Sequence, residues 1–417
     1  MPINKYYAGE FTLPVSKLLL LLVIAIFGPY ITNSFRVEHL ILYPSALLAA
    51  IVIVYARQSR HPSLPLIVIW LLSGILLSSI LSTFFGPYPV SFGRILSQAD
   101  NWLQPIAVSV IALAWGARLR LVFGWLLGLL CLNACIQIYQ TVTNNFAIMS
   151  AWISVSETGG STAYNSFTNG RFMGVFNQPV EAGISFTIGL FLWLYLLWNG
   201  RKGLWFWLAL PLLLIGGTLT VSKIFLVLGL PLFLTAVFWE RVVSGWRPTW
   251  SGLSRGVLLV AVIITAGGLI GTRWSGADYA IRLLMPSQSS GSLFELYTAS
   301  RLGDDTGLAM LFKQVIRDEP FSGYGFRSLE ILDNGFLDAY AQGGVLALLL
   351  YIAVLLTILV VGLRKGNTPE GRLLILLAIF VIAASLGAPA LTANRACIIT
   401  WIFLFGLITS PIESRSI

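Results

Sequence analysis

Residues 336–365 read FLDAYAQGGVLALLLYIAVLLTILVVGLRK. From Ala339 to Leu363 no residue is charged, and a basic pair, Arg364-Lys365, closes the run. A helix rises 1.5 Å per residue, so about 20 such residues cross the roughly 30 Å hydrocarbon layer of a bilayer. A helix on the surface of a soluble core would carry charges every few residues on its outer face. The stretch therefore reads as a transmembrane helix.

The rest of the chain repeats this pattern. Of 417 residues, 57% are hydrophobic and only 10% charged, far from the balance of soluble domains. Twelve apolar spans are expected, at about 18–35, 39–56, 64–85, 95–117, 121–140, 180–198, 204–220, 224–239, 257–272, 336–361, 373–391 and 396–409. The expected fold is an all-α polytopic membrane protein forming one integral domain over residues 1–417. No small-residue cleavage site precedes the second span, so the first reads as a retained helix, not a signal peptide.

The basic residues give an orientation. Arg57/Arg60, Arg118/Arg120, Arg201/Lys202, Arg241/Arg247/Arg255 and Arg364/Lys365/Arg372 occupy alternate loops, which the positive-inside rule assigns to the cytoplasm together with both termini. The net charge of +9 is thus explained by topology, and nucleic acid is not an expected partner. All three cysteines (Cys131, Cys135, Cys397) fall inside spans and there are only two histidines, so neither a disulfide framework nor a metal site is expected. No Walker loop or dinucleotide-binding glycine fingerprint is present.

On the opposite, non-cytoplasmic side two loops are too long to be simple connectors, 141–179 and 273–335. The second contains LAMLFKQV, Leu308–Val315, a candidate short helix. Eleven basic side chains remain on this side, of which Arg171, Lys223, Arg301, Arg327 and Arg395 stand beside span ends or motifs. Lys223 lies in the hairpin TLTVSKIF between two apolar helices. A cation there either snorkels to the interface or is directed toward a ligand. Arg and Lys at a membrane surface suit phosphate, Arg as a fork and Lys as a point charge. The second long loop also carries eight acidic residues, so several of its cations fit a salt-bridged surface equally well.

The densest pattern is EPFSGYGFRSLEILDNGFLDAYAQGGVLALLLY, residues 319–351. Pro320, Gly323 and Gly325 mark a turn, Asp333-Asn334 stand at the mouth of the long helix, and Asp338 follows about one turn further in. Asp333 reads either as a helix cap or as a general base whose pKa nearby cations would tune. Gly343-Gly344 would permit a close helix crossing.

At these residues the chain resembles the O-antigen ligase/polymerase superfamily of bacterial membrane glycosyltransferases. The resemblance rests on Arg171, Gly174, Asn177 and Pro179 opening a helix, and on Ser222-Lys223 heading another. Its third part is Ser300-Arg301, the Pro320–Gly325 turn, Asp333-Asn334 and Gly343-Gly344. It implies a GT-C-like helical fold in the bacterial inner membrane with a periplasmic active face. The implied reaction moves a growing glycan from undecaprenyl pyrophosphate onto a lipid-linked repeat unit, with inversion and without cofactor, metal or nucleotide sugar. Catalytic roles would fall to Asp333, Arg301 and Lys223, and substrate contacts to Arg171, Asn177, Tyr324, Arg327, Asn334 and Asp338. The implied partners are lipid-linked oligosaccharide repeats, the lipid bilayer and a chain-length regulator. Lys223 stands where the family carries Arg. Asp333 stands where the ligases carry His, which favours a polymerase over a ligase joining glycan to lipid A core. A non-enzymatic lipid-linked glycan transporter and a non-catalytic assembly subunit are the alternatives from other classes.

Overall fold

The computed structural model describes residues 12–32, 35–55, 64–85, 90–152, 162–243, 274, 276, 307–326, 334–366 and 368–409. Among these residues the chain is helical and has no strand, only an isolated bridge between Tyr30 and Arg36. The α-helices are α1 (Thr12–Ile26), α2 (Val37–Tyr55), α3 (Leu64–Phe85), α4 (Phe92–Trp115), α5 (Phe123–Thr143), α6 (Thr162–Thr168) and α7 (Pro179–Trp198). They continue with α8 (Leu204–Leu219), α9 (Leu230–Val243), α10 (Gly307–Asp318), α11 (Gly335–Arg364), α12 (Pro369–Ala384) and α13 (Asn394–Ile408). Short 3-10 helices cover Gly116–Val122 and Ala147–Trp152, and a π-helical turn, Ile224–Gly229, leads into α9.

Among the described residues five segments are long and apolar enough to cross a membrane: α2, α3, Arg118–Thr143, α7 and α11. The chain is a membrane-embedded helical protein. Shorter apolar helices accompany them at Val15–Ile26, Leu204–Leu219, Ile224–Trp239 and Asn394–Ile408. The span expected at 257–272 lies outside the described residues. Within its most apolar window α7 is 83% buried, against 28% for α2 and α3. It is therefore a central helix together with α13, which is buried from Arg395 to Ile408, and α5 and α8 pack against it, while α2, α3 and α11 turn much of their surface outward.

Local chemistry explains most helix ends. The first span was expected to run to residue 35, but α1 stops at Ile26. Gly28-Pro29 follows, and proline disfavours helical geometry in the residue before it. Pro179 and Pro369 sit at the start of α7 and α12, where a missing amide hydrogen is harmless. Thr368 caps α12 by accepting from Gly371 N at 3.0 Å. At the far end of α13, Lys365 Nζ donates to Leu407 O (3.1 Å) and Ile408 O (2.6 Å), so a cation closes a helix C-terminus.

Gly343-Gly344 does more than allow a close crossing. Both residues leave helical geometry, Gly344 with φ 67°, and break α11. The break receives the 319–326 turn: Tyr324 N donates to Ala341 O at 2.6 Å, and Ser78 Oγ of α3 takes the Gly343 carbonyl at 2.7 Å. A Cβ on Gly344 would lie 1.9 Å from Phe321 O. Gly344→Ala is expected to destabilise the protein by about 1–3 kcal/mol from backbone strain alone, and to dislodge the turn. Thermal unfolding in detergent checks this, and an unchanged midpoint would contradict it.

Candidate functional site

The sequence Arg171–Gln178 is irregular, yet Phe172 through Asn177 are buried at the head of α7. Buried irregular backbone needs partners for its polar groups. Helix α5 supplies them from Asn133, Gln137 and Gln140, whose spacing of four and three puts three amides on one face. Asn133 Oδ1 accepts from Val175 N (2.7 Å) and its Nδ2 donates to Met173 O (3.3 Å). Gln137 Nε2 donates to Phe172 O (2.9 Å), and Gln140 Oε1 accepts from Gly174 N (3.2 Å). Gly174 has φ 66°, and a Cβ there would meet Asn133 Oδ1 at 2.0 Å. Only glycine fits this grip.

A buried ion-pair network holds the same segment from the other side. Glu181 accepts from Asn177 N (3.0 Å) and Arg395 N (2.9 Å), so one carboxylate serves two helix starts. Arg395 donates to Val175 O (2.6 Å) and Gly28 O (2.6 Å), lies 3.4 Å from Glu38 Oε1, and faces the Tyr30 ring at 5.3 Å. Arg36 pairs with Glu38 at 2.9 Å. Asp100 on α4 accepts from Tyr43 OH and, at 2.6 Å, from Gln104 Nε2, and stands 3.3 Å from His39 Nε2. Burial works against the Arg36 charge, but Glu38, Tyr30, Asp100 and Glu181 outweigh it and hold the guanidinium above its usual range. Burial also raises the Tyr30 phenol. Arg395, grouped in the sequence with the outward cations, is 1% exposed and fully engaged. It is a structural tie, not a ligand contact.

This framework delivers Arg171 to the hairpin between α8 and the π-helical turn. Phe172 N donates to Leu219 O (2.9 Å), while Arg171 Nε and Nη2 reach Thr220 O (3.4 Å) and Val221 O (3.3 Å). Val221 is β-branched, fully buried and held at φ 45°, a strained conformation for such a residue. Ser222 is buried against Gly183 of α7, and its Oγ has no hydrogen-bond partner among the described residues; the same is true of Asn177 Oδ1. Half-buried Lys223 then starts the π-helical turn, a distortion that recurs at functional sites. Arg171 and Lys223 thus belong to one strained, partly buried junction, with the Arg171 guanidinium on its backbone carbonyls.

At the mouth of α11, Asn334 is the cap: its Oδ1 accepts from Phe336 N and Leu337 N, both at 3.0 Å. Its Nδ2 donates to Leu386 O (3.1 Å), fastening the helix to the link before α13. Asp338 is buried and accepts from Gln342 Nε2 (2.9 Å), which in turn accepts from Trp102 Nε1 through Oε1 (2.7 Å). Tyr324 is buried in a small cluster with Val315 and Tyr340, and its OH lies 3.1 Å from Asp318 Oδ2. Tyr324 and Asn334 are therefore engaged in holding backbone and loop. Asp333, Arg301 and Arg327 lie outside the described residues.

Glu181, Arg36, Glu38, Asp100 and the α5 amides belong to none of the motifs found in the sequence. The readable signals were an acid two residues after Pro179 and the polar stripe of NACIQIYQ inside an apolar helix. Compared with known proteins, the chain matches no protein-family model and no curated sequence.

Proposed function

We propose that this chain is a twelve-span, GT-C-like glycosyltransferase of the O-antigen ligase/polymerase type, acting as a polymerase at the periplasmic face of a bacterial inner membrane. What carries the reading is the contact between two motif stretches far apart in sequence, Arg171 and the Thr220–Lys223 hairpin. On this reading Lys223, Arg301 and Arg171 neutralise charge developing on undecaprenyl pyrophosphate as it leaves. Asp333 takes the proton of the acceptor hydroxyl on a lipid-linked repeat unit, and direct displacement inverts the anomeric centre. Asp333, in place of the ligase histidine, favours polymerisation over transfer to lipid A core.

The break in α11 gives the transporter alternative its one supporting observation, because broken helices line many transport sites. Here Tyr324 N and Ser78 Oγ take carbonyls at the break, which supports a receptor for the loop over an ion site.

The test is turnover of purified protein with lipid-linked repeat units. Lys223→Ala and Arg301→Ala are each expected to reduce polymer at least tenfold, the loss of a charge-assisted bond being worth about 1.5–3 kcal/mol. Near-normal activity of both would remove the pyrophosphate role. Reporter fusions after residues 160 and 310 are expected to report the periplasm, and a cytoplasmic signal from either would overturn the topology and the proposed active face.

A further inference from the structure

The Glu319–Phe326 turn sits beside a membrane helix, not beyond its end. Its carbonyl at Ser322 accepts from Ser82 Oγ, and Phe326 N donates to Thr83 Oγ1 at 2.7 Å. Ser82 is three residues before Phe85, where α3 ends, a rise of about 4.5 Å. The other flank of the turn lies in the α11 break, level with Ser78. The turn therefore fills a notch between two helices that are both long and apolar enough to span.

Each of those helices carries a stripe of outward apolar residues that reaches the notch. On α3 the stripe is Trp70, Leu77, Leu81, Phe84 and Phe85, and on α11 it includes Leu346 and Leu349. Phe321, on the turn, is 82% exposed. Several of the polar groups around it are paired within the protein. Besides the bonds above, Gly323 N donates to Glu319 O (3.0 Å), Ser322 Oγ to Glu319 Oε2 (2.6 Å) and Tyr324 N to Ala341 O (2.6 Å). Hydrocarbon demands such internal pairing of backbone and hydroxyl groups, and water does not.

We propose that this turn is a membrane-inserted wedge, with Phe321 seated among lipid acyl chains near the interface and continuing the lipid-facing stripes of α3 and α11. The occupant of this surface is bilayer lipid. The wedge anchors the second long loop at a fixed depth, whatever reaction the protein performs.

Site-directed spin labelling of the full chain in liposomes tests the proposal. With Cys131, Cys135 and Cys397 replaced by alanine, a nitroxide is attached at Phe321→Cys, and at Leu77→Cys and Lys313→Cys as lipid and water references. At position 321 the ratio of oxygen to nickel-chelate accessibility should match position 77 and exceed position 313 several-fold. A ratio equal to that at 313 would overturn the proposal. So would low accessibility to both reagents, which would put a protein surface, such as a second copy of the chain, over the turn. If the cysteine-free chain fails to fold, the wild-type protein is labelled from the lipid phase with a hydrophobic diazirine and mapped by mass spectrometry. Adducts on Phe321 comparable to those on Leu77 support the wedge, and their absence from residues 319–326 overturns it.

Discussion

Arg395→Ala is expected to destabilise the protein by about 3–5 kcal/mol, the usual result of removing one partner from a buried ion pair. The change strips donors from Val175 O and Gly28 O and leaves Glu38 with one guanidinium in place of two. Native stabilities are only about 5–15 kcal/mol, so the variant should fall sharply in melting temperature and in protease resistance. Arg395→Lys keeps the charge but cannot reach three acceptors with one fork, so it should recover only part of the loss. A ligand-binding arginine would behave differently, giving a stable, inactive protein. Wild-type melting of Arg395→Ala would show that the network does not hold the Arg171–Gln178 segment.

The contrast between Arg395 and Arg171 shows what was readable in the sequence. Positions and lengths of most helices followed from apolar runs, because lipid leaves a helix no alternative to internal hydrogen bonding. Thus α3 and α7 fall close to the expected 64–85 and 180–198. Charge placement assigns helix ends to sides only through the positive-inside rule. It could not tell a half-buried arginine on two backbone carbonyls from one fully buried in an ion-pair network, since both are an arginine near a helix start. That difference lies in tertiary partners such as Glu38, far away in the chain. The α11 break was legible as a glycine pair but not in its purpose, because the turn it receives is docked through backbone carbonyls, which carry no residue signature. The strain at Val221 was likewise invisible, since valine in an apolar hairpin gives no sign of φ 45°.

On the proposed polymerase reading the other large expected effect is at Asp333, where Asp333→Asn should slow polymer formation by about 10²–10⁴-fold, the typical loss when a positioned base is removed. The capping role that would compete with this reading is already filled next door. Asn334 Oδ1 takes both Phe336 N and Leu337 N, so α11 does not depend on a carboxylate at position 333 for its first turn. Expression and thermal stability of Asp333→Asn should therefore remain near wild type while product collapses toward single repeats. Asp333→His is the companion variant, because a histidine there also accepts a proton, and partial activity would support a shared role. If Asp333→Asn polymerises at the wild-type rate, the base lies elsewhere. Asp338 is then the next residue to replace, since it is buried one turn further along α11 with Gln342 on its carboxylate. A loss confined to Asp338→Asn would move the proton acceptor into the helix and leave Asp333 with no part in the chemistry.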